Sequence, residues 1–107
     1  GGHVVQGHVD DTTPVLDRSP AERWEVVTLA LPPELARYVV HKGSITLDGV
    51  SLTVSAGLED AFQVSLIPTT LERTTLGRRA PGERVNVEVD VLAKYVERLL
   101  VTGAVPS

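Results

Sequence analysis

Four groups of residues carry the side chains that could do chemistry. The first is Gly1-Gly2-His3-Val4-Val5-Gln6-Gly7-His8. On a strand, His3 and His8 fall on opposite faces and converge only if Gly7 marks a bulge. With no third ligand nearby they make a poor metal pair. They are either surface histidines or a pair of which one faces a pocket and moves a proton near neutral pH. The second group is Lys42-Gly43-Ser44-Ile45-Thr46-Leu47-Asp48-Gly49-Val50-Ser51-Leu52-Thr53-Val54. Here Ser51 and Thr53 share one strand face, while Val50, Leu52 and Val54 share the other. A row of hydroxyls suits a polyol, because each hydroxyl both donates and accepts; the solvent face of a sheet shows the same alternation. Asp48 reads as a turn residue and Lys42 as the solvated end of a helix. The third group runs from Ile67-Pro68-Thr69-Thr70 to Gly77. A strand end entering a helix start leaves backbone N–H and C=O groups free to pair with the amide-like edge of a planar heterocycle. Thr69 and Glu72 match a capping box, which leaves Thr70 free. The fourth is Asp90, an N-cap or a carboxylate for ligand hydroxyls.

The elements that must position these groups are mostly strands. Residues 3–10 read as a first strand, 11–13 as a turn, 14–17 as a short second strand and 18–20 as a loop. Residues 24–31 alternate as a two-sided strand. Pro32-Pro33 breaks the ladder and starts a short helix over 35–40, closed by Gly43. Residues 44–47 and 50–55 form a hairpin around Asp48-Gly49. Residues 61–67 and 84–89 are further strands, the first followed by a helical turn that ends at Gly77. Asp90 caps a final helix over 91–100, whose stripe of Val91, Leu92, Tyr95, Val96, Leu99 and Leu100 is apolar. About six short strands at this spacing predict an all-β fold, a small closed barrel with short helical turns.

Composition narrows the functions open to it. The chain has 107 residues, enough for one domain with a modest core. A formal charge of -4 argues against a nucleic-acid partner, which needs clustered Lys and Arg. The absence of Cys removes disulfides, thiolate metal sites and thiol nucleophiles, and is compatible with a cytoplasmic location. No apolar run approaches the ~20 residues of a membrane span. There is also no Met, and the chain opens inside a motif, so the expectation is an internal piece of a longer protein.

Taken together, Gly2-His3 with Gly7-His8, Lys42-Gly43, Asp48-Gly49-Val50-Ser51-Leu52-Thr53-Val54, Ile67-Pro68 with Thr70-Leu71-Glu72-Arg73-Thr74-Thr75-Leu76-Gly77, and Val85-Asn86 with Glu88 and Asp90 resemble the C-terminal barrel of the riboflavin synthase family. The resemblance implies a six-stranded antiparallel Greek-key barrel. It implies a lumazine-binding domain over residues 1–90, a C-terminal helix over 91–101 acting as an oligomer contact, and a flexible tail over 102–107. The activity it implies is dismutation of two molecules of 6,7-dimethyl-8-ribityllumazine to riboflavin and 5-amino-6-ribitylamino-pyrimidinedione, with no cofactor and no metal. The implied partners are that lumazine, riboflavin, the N-terminal barrel of the parent enzyme and two further subunits of a homotrimer. By position, Ser51, Thr53 and Asp90 match pocket residues with His8 beside them; Lys42 and Asp48 lie in the same motif. Ile67 offers backbone bonds to the pyrimidine edge and Thr70 adds its hydroxyl. His8 is the candidate proton shuttle, and Ser51 and Asp90 complete the candidate catalytic set. Without its first barrel the chain is expected to bind ligand but turn over slowly or not at all. The competing readings are a non-catalytic lumazine- or flavin-binding module and a purely structural barrel.

Overall fold

Residues 10–89 are described in the computed structural model. Within them, runs rich in Val, Leu and Thr form six strands: β1 (Asp11–Pro20), β2 (Glu25–Ala30), β3 (Ser44–Leu47), β4 (Val50–Gly57), β5 (Ala61–Leu66) and β6 (Arg84–Val89). All pairings are antiparallel, and the order β1-β2-β5-β4-β3-β6 closes on itself. β3, β4 and β5 follow one another as neighbours, and β6 returns to lie beside β3, which is a Greek key. The expected all-β barrel is the fold observed. Closure removes the free sheet edges that would otherwise invite pairing with other chains.

Alternation builds the core. Val27, Leu29, Ile45, Leu47, Val54, Phe62, Val64, Leu66 and Val87 point inward and are fully buried, and their neighbours along each strand take the outer face. Leu76, from a 3-10 turn (Thr75–Arg78) between β5 and β6, is equally buried and joins that core. The hairpin at Asp48-Gly49 is present, with φ of 47° and 82° at the two turn positions. Both are in the left-handed region that a two-residue hairpin loop requires.

Four local expectations are corrected. The turn over 11–13 and the loop over 18–20 are both strand, because β1 is held from both sides. Asp11, Thr12 and Thr13 pair with Val87, Asn86 and Val85, whereas Asp17 to Pro20 pair with β2. The strand changes partner between Pro14 and Val15, and a bulge between Val15 and Asp17 then interrupts the ladder with β2. Pro14, with no N–H to donate, sits at the last pair of the first ladder. The helix after Pro32-Pro33 is a 3-10 helix over Pro33–Tyr38 rather than 35–40. The capping box at Thr69 is not formed: α1 (Pro68–Arg73) begins two residues earlier, with Ile67 as N-cap and no side-chain cap bond. Proline's fixed φ at the first helical position decides that start. The strand expected over 3–10, apart from Asp10, and the helix over 91–100 lie outside the described residues, as does the tail.

Candidate functional site

On the side of the sheet away from Val54, Val64 and Leu66, β4 and β5 present hydroxyls. Ser51, Thr53 and Ser55 alternate onto the outer face of β4, Ser55 at a bulge between Val54 and Ala56. Ser55 Oγ donates to the Gln63 carbonyl at 3.2 Å, which ties the bulge to β5. Ser65 extends the row on β5. Where β5 ends, α1 bends over this surface. Ile67 is 58% exposed at its N-cap, and Thr70 lies in its first turn. Ser51, Leu52, Thr53, Ser55, Ser65, Ile67 and Thr70 line an open cleft of about 390 Å³. The Ile67 carbonyl accepts the Leu71 amide at 3.0 Å, and a carbonyl oxygen has a second lone pair with which to accept again. The Thr70 carbonyl is taken by the amide and hydroxyl of Thr74, at 3.2 and 2.6 Å, which leaves the Thr70 hydroxyl as its group for a ligand.

The structure thus brings together Ser51, Thr53, Ile67 and Thr70, four of the residues singled out in the sequence. It does not bring Lys42 or Asp48 to the cleft lining. Lys42 is an exposed residue at φ 65° whose amide donates to the Val54 carbonyl at 2.8 Å, extending the β3–β4 ladder. The Asp48 side chain is only 5% exposed. It accepts the Asn86 amide at 2.8 Å and the Arg79 Nε at 2.9 Å. That hydrogen bond, reinforced by the negative charge, holds the Arg79 guanidinium above its ordinary pKa. His8 and Asp90 lie outside the described residues. Ser55 and Ser65 were missed, although Ser55 continues the period of Ser51 and Thr53. Among the described residues no cluster of His, Asp or Glu could hold a metal, and no helix is long and apolar enough to cross a membrane.

The wall formed by α1 is anchored from below. Arg18, on β1, donates from Nη1 to the carbonyls of Leu76 and Arg79 at 3.0 and 2.8 Å, capping the 3-10 turn that follows α1. Its Nε pairs with Glu25 on β2 at 2.7 Å. With Leu76 buried and Arg79 pinned to Asp48, the segment after α1 is fixed to β1 and to the β3–β4 turn. Gly77 allows the tightest approach: a Cβ there would fall on the Leu71 carbonyl oxygen and lie 2.6 Å from its carbon.

Comparison with known proteins agrees with this architecture. A family model described as the lumazine binding domain matches residues 6–90. The riboflavin synthases of Mycobacterium tuberculosis (strain ATCC 25618 / H37Rv) and Mycobacterium bovis (strain ATCC BAA-935 / AF2122/97) are each 64% identical over 103 residues. The match covers 94% of this chain and 51% of theirs. The riboflavin synthase of Bacillus subtilis (strain 168) is 41% identical over 100 residues, covering 94% of this chain and 46% of its own. The chain therefore spans about half the length of these curated relatives. Among solved structures, the crystal structure of LumP complexed with 6,7-dimethyl-8-(1'-D-ribityl) lumazine aligns with a TM-score of 0.74 at 22% identity, over 82% of this chain and 49% of that one. LumP complexed with flavin mononucleotide aligns with a TM-score of 0.75, also at 22% identity, over 80% and 49%. At that identity the likeness establishes the shared fold. With the family model spanning nearly the whole barrel, this chain belongs to the lumazine-binding-domain family.

Proposed function

We propose that the chain is the C-terminal half of a riboflavin synthase and that its cleft holds 6,7-dimethyl-8-ribityllumazine or riboflavin. The observation that carries this reading is the outward row of Ser51, Thr53, Ser55 and Ser65, closed at one end by Ile67 and Thr70. A ribityl chain offers several hydroxyls in sequence, and a row of hydroxyls on a rigid sheet answers them one by one. The pyrimidine edge then meets the Ile67 backbone and the Thr70 hydroxyl at the start of α1. Support also comes from the relatives' names and from the lumazine and flavin complexes of a protein with the same fold.

In the parent enzyme, two lumazines dismutate: one passes a four-carbon unit to the other, giving riboflavin and a diaminopyrimidine. The C7 methyl of the substrate is already acidic through ring conjugation. Holding two rings in register therefore supplies most of what the reaction needs. His8 is the proposed proton shuttle. Asp90 and Ser51 are proposed to orient and polarise ligand hydroxyls. Lys42 and Asp48 are proposed to act through the β3–β4 frame that carries Ser51 rather than by contact with the ligand. Because the second ring is held by the partner barrel, we expect this half alone to bind but to turn over poorly, in the cytoplasm of its source and, in the parent, within a trimer.

The test is a titration of the 107-residue chain with riboflavin, read by ligand fluorescence. Saturable binding is expected, with Ser51→Ala and Thr53→Ala each about three- to tenfold weaker, the loss of one hydrogen bond. No binding at high micromolar riboflavin supports the structural-barrel reading instead. Robust riboflavin formation by the chain alone overturns the need for a partner barrel.

A further inference from the structure

Five large apolar residues are exposed among the described residues: Leu16, Trp24, Val40, Leu58 and Ile67. Two of them belong together. Glu25 pairs with Leu66 at the end of the β2–β5 ladder, and Trp24 and Ile67 are the next residues beyond that pair. Alternation sets the face. Leu66 is buried in the barrel and the Glu25 side chain reaches Arg18 beneath it. Trp24 therefore falls on the opposite, outer face with Val26 and Ser65, which are themselves paired. An Ala21 amide bond to the Trp24 carbonyl at 2.7 Å closes the turn between β1 and β2 and fixes the backbone there. Trp24 is 43% exposed. The outer face thus carries a polar row on β4 and the near part of β5, and an apolar shelf of Trp24, Val26 and Ile67 beside it.

We propose that Trp24 is a ligand-binding residue. Its indole and Ile67 form the apolar wall that covers the fused ring of a molecule whose hydroxylated chain lies along Ser51, Thr53, Ser55 and Ser65. This rests on the cleft reading above and adds to it the part that selects a planar aromatic ring. From β4 across β5 to β2 is about 10 Å, two strand spacings. That is the separation wanted for a ligand with a polyol at one end and a flat heterocycle at the other. A Trp side chain offers a large rigid face with few rotamers to freeze, and this one stands one residue beyond the end of the ladder that leads into Ile67 of the cleft lining.

Riboflavin is the probe, with ligand polarisation reporting binding. Trp24→Ala is expected to weaken it about tenfold, while Trp24→Phe, which keeps a flat face, stays within about threefold. Trp24 is the sole Trp of the 107 residues, so its emission must be quenched with the same midpoint as the polarisation change. Equal affinity of Trp24→Ala and wild type, alongside a weakened Ser51→Ala, overturns the role of Trp24 and leaves the cleft standing. Unquenched emission at saturation does the same. Absence of riboflavin binding by the wild-type chain overturns the cleft reading and this inference with it. Trp24→Gln guards against a folding defect in the Ala variant: it too must bind about tenfold more weakly, at an unchanged thermal midpoint.

Discussion

Gly77→Ala tests whether the cleft wall is held by packing. The added Cβ would meet the Leu71 carbonyl oxygen, with the carbonyl carbon at 2.6 Å and the Leu71 Cα at 2.7 Å. All three obstacles are backbone atoms of α1, so no side chain can rotate out of the way. Relief requires α1 and the following 3-10 turn to part, against the buried Leu76 on one side and the Arg18 bonds to two carbonyls on the other. Overpacking of this kind typically costs ~1–3 kcal/mol, and with rigid backbone on both sides the upper end, about 3 kcal/mol, is expected. In a domain near this size that lowers the melting temperature by roughly 12–24 °C. The matched control is Gly57→Ala at the end of β4, where a Cβ meets nothing within 4 Å. It should be neutral or stabilising by roughly 0.4–1 kcal/mol, through the unfolded chain. Urea unfolding followed by circular dichroism measures both. Riboflavin titration of folded Gly77→Ala should show weakened binding, because Ile67 and Thr70 ride on the displaced helix. A Gly77→Ala protein within 0.5 kcal/mol of wild type, or a Gly57→Ala protein equally damaged, would refute the argument that the wall is close-packed.

Asp48 offers a second test, of frame against ligand contact. Asp48→Asn keeps an acceptor for the Asn86 amide and tolerates φ 47°, whereas Asp48→Ala keeps neither and should be less stable than the Asn variant by about 1 kcal/mol or more in urea. Riboflavin affinity should follow stability; equal affinity losses in both variants with unchanged unfolding would instead mark the carboxylate as a ligand group. Asp90→Ala separates two roles in the same way: weakened riboflavin binding at unchanged stability supports a carboxylate facing the ligand, and a loss of about 1 kcal/mol with unchanged binding identifies a helix cap.

The barrel was legible because burial alternates. Ser51 and Thr53 between Leu52 and Val54, and Asp48-Gly49 between two apolar runs, carry their geometry in their own residues. Segments governed by partners far along the chain were not legible. Asp11-Thr12-Thr13 has turn composition, yet it is strand because β6 lies beside it. Arg18 reads as a loop residue and is the anchor for carbonyls more than fifty positions away. The site was legible as a row of hydroxyls but not as a cleft, since its second side depends on where Pro68 turns the chain. Likewise Asp48 drew notice within the right motif, but its partner Arg79 is contributed by a different loop.

The outward placement of the hydroxyl row has a consequence for how such a protein can change. Along β4 and β5, residues that hold the barrel together alternate one for one with residues that meet the cleft: Val54 between Thr53 and Ser55, Ser65 between Val64 and Leu66. Affinity and foldedness are therefore written in interleaved letters of the same strands. Substitutions at exposed Thr53 or Ser65 can retune or abolish ligand selection while the apolar core is inherited intact. A barrel of this design can trade one bound heterocycle for another, or lose its chemistry, without passing through an unstable ancestor.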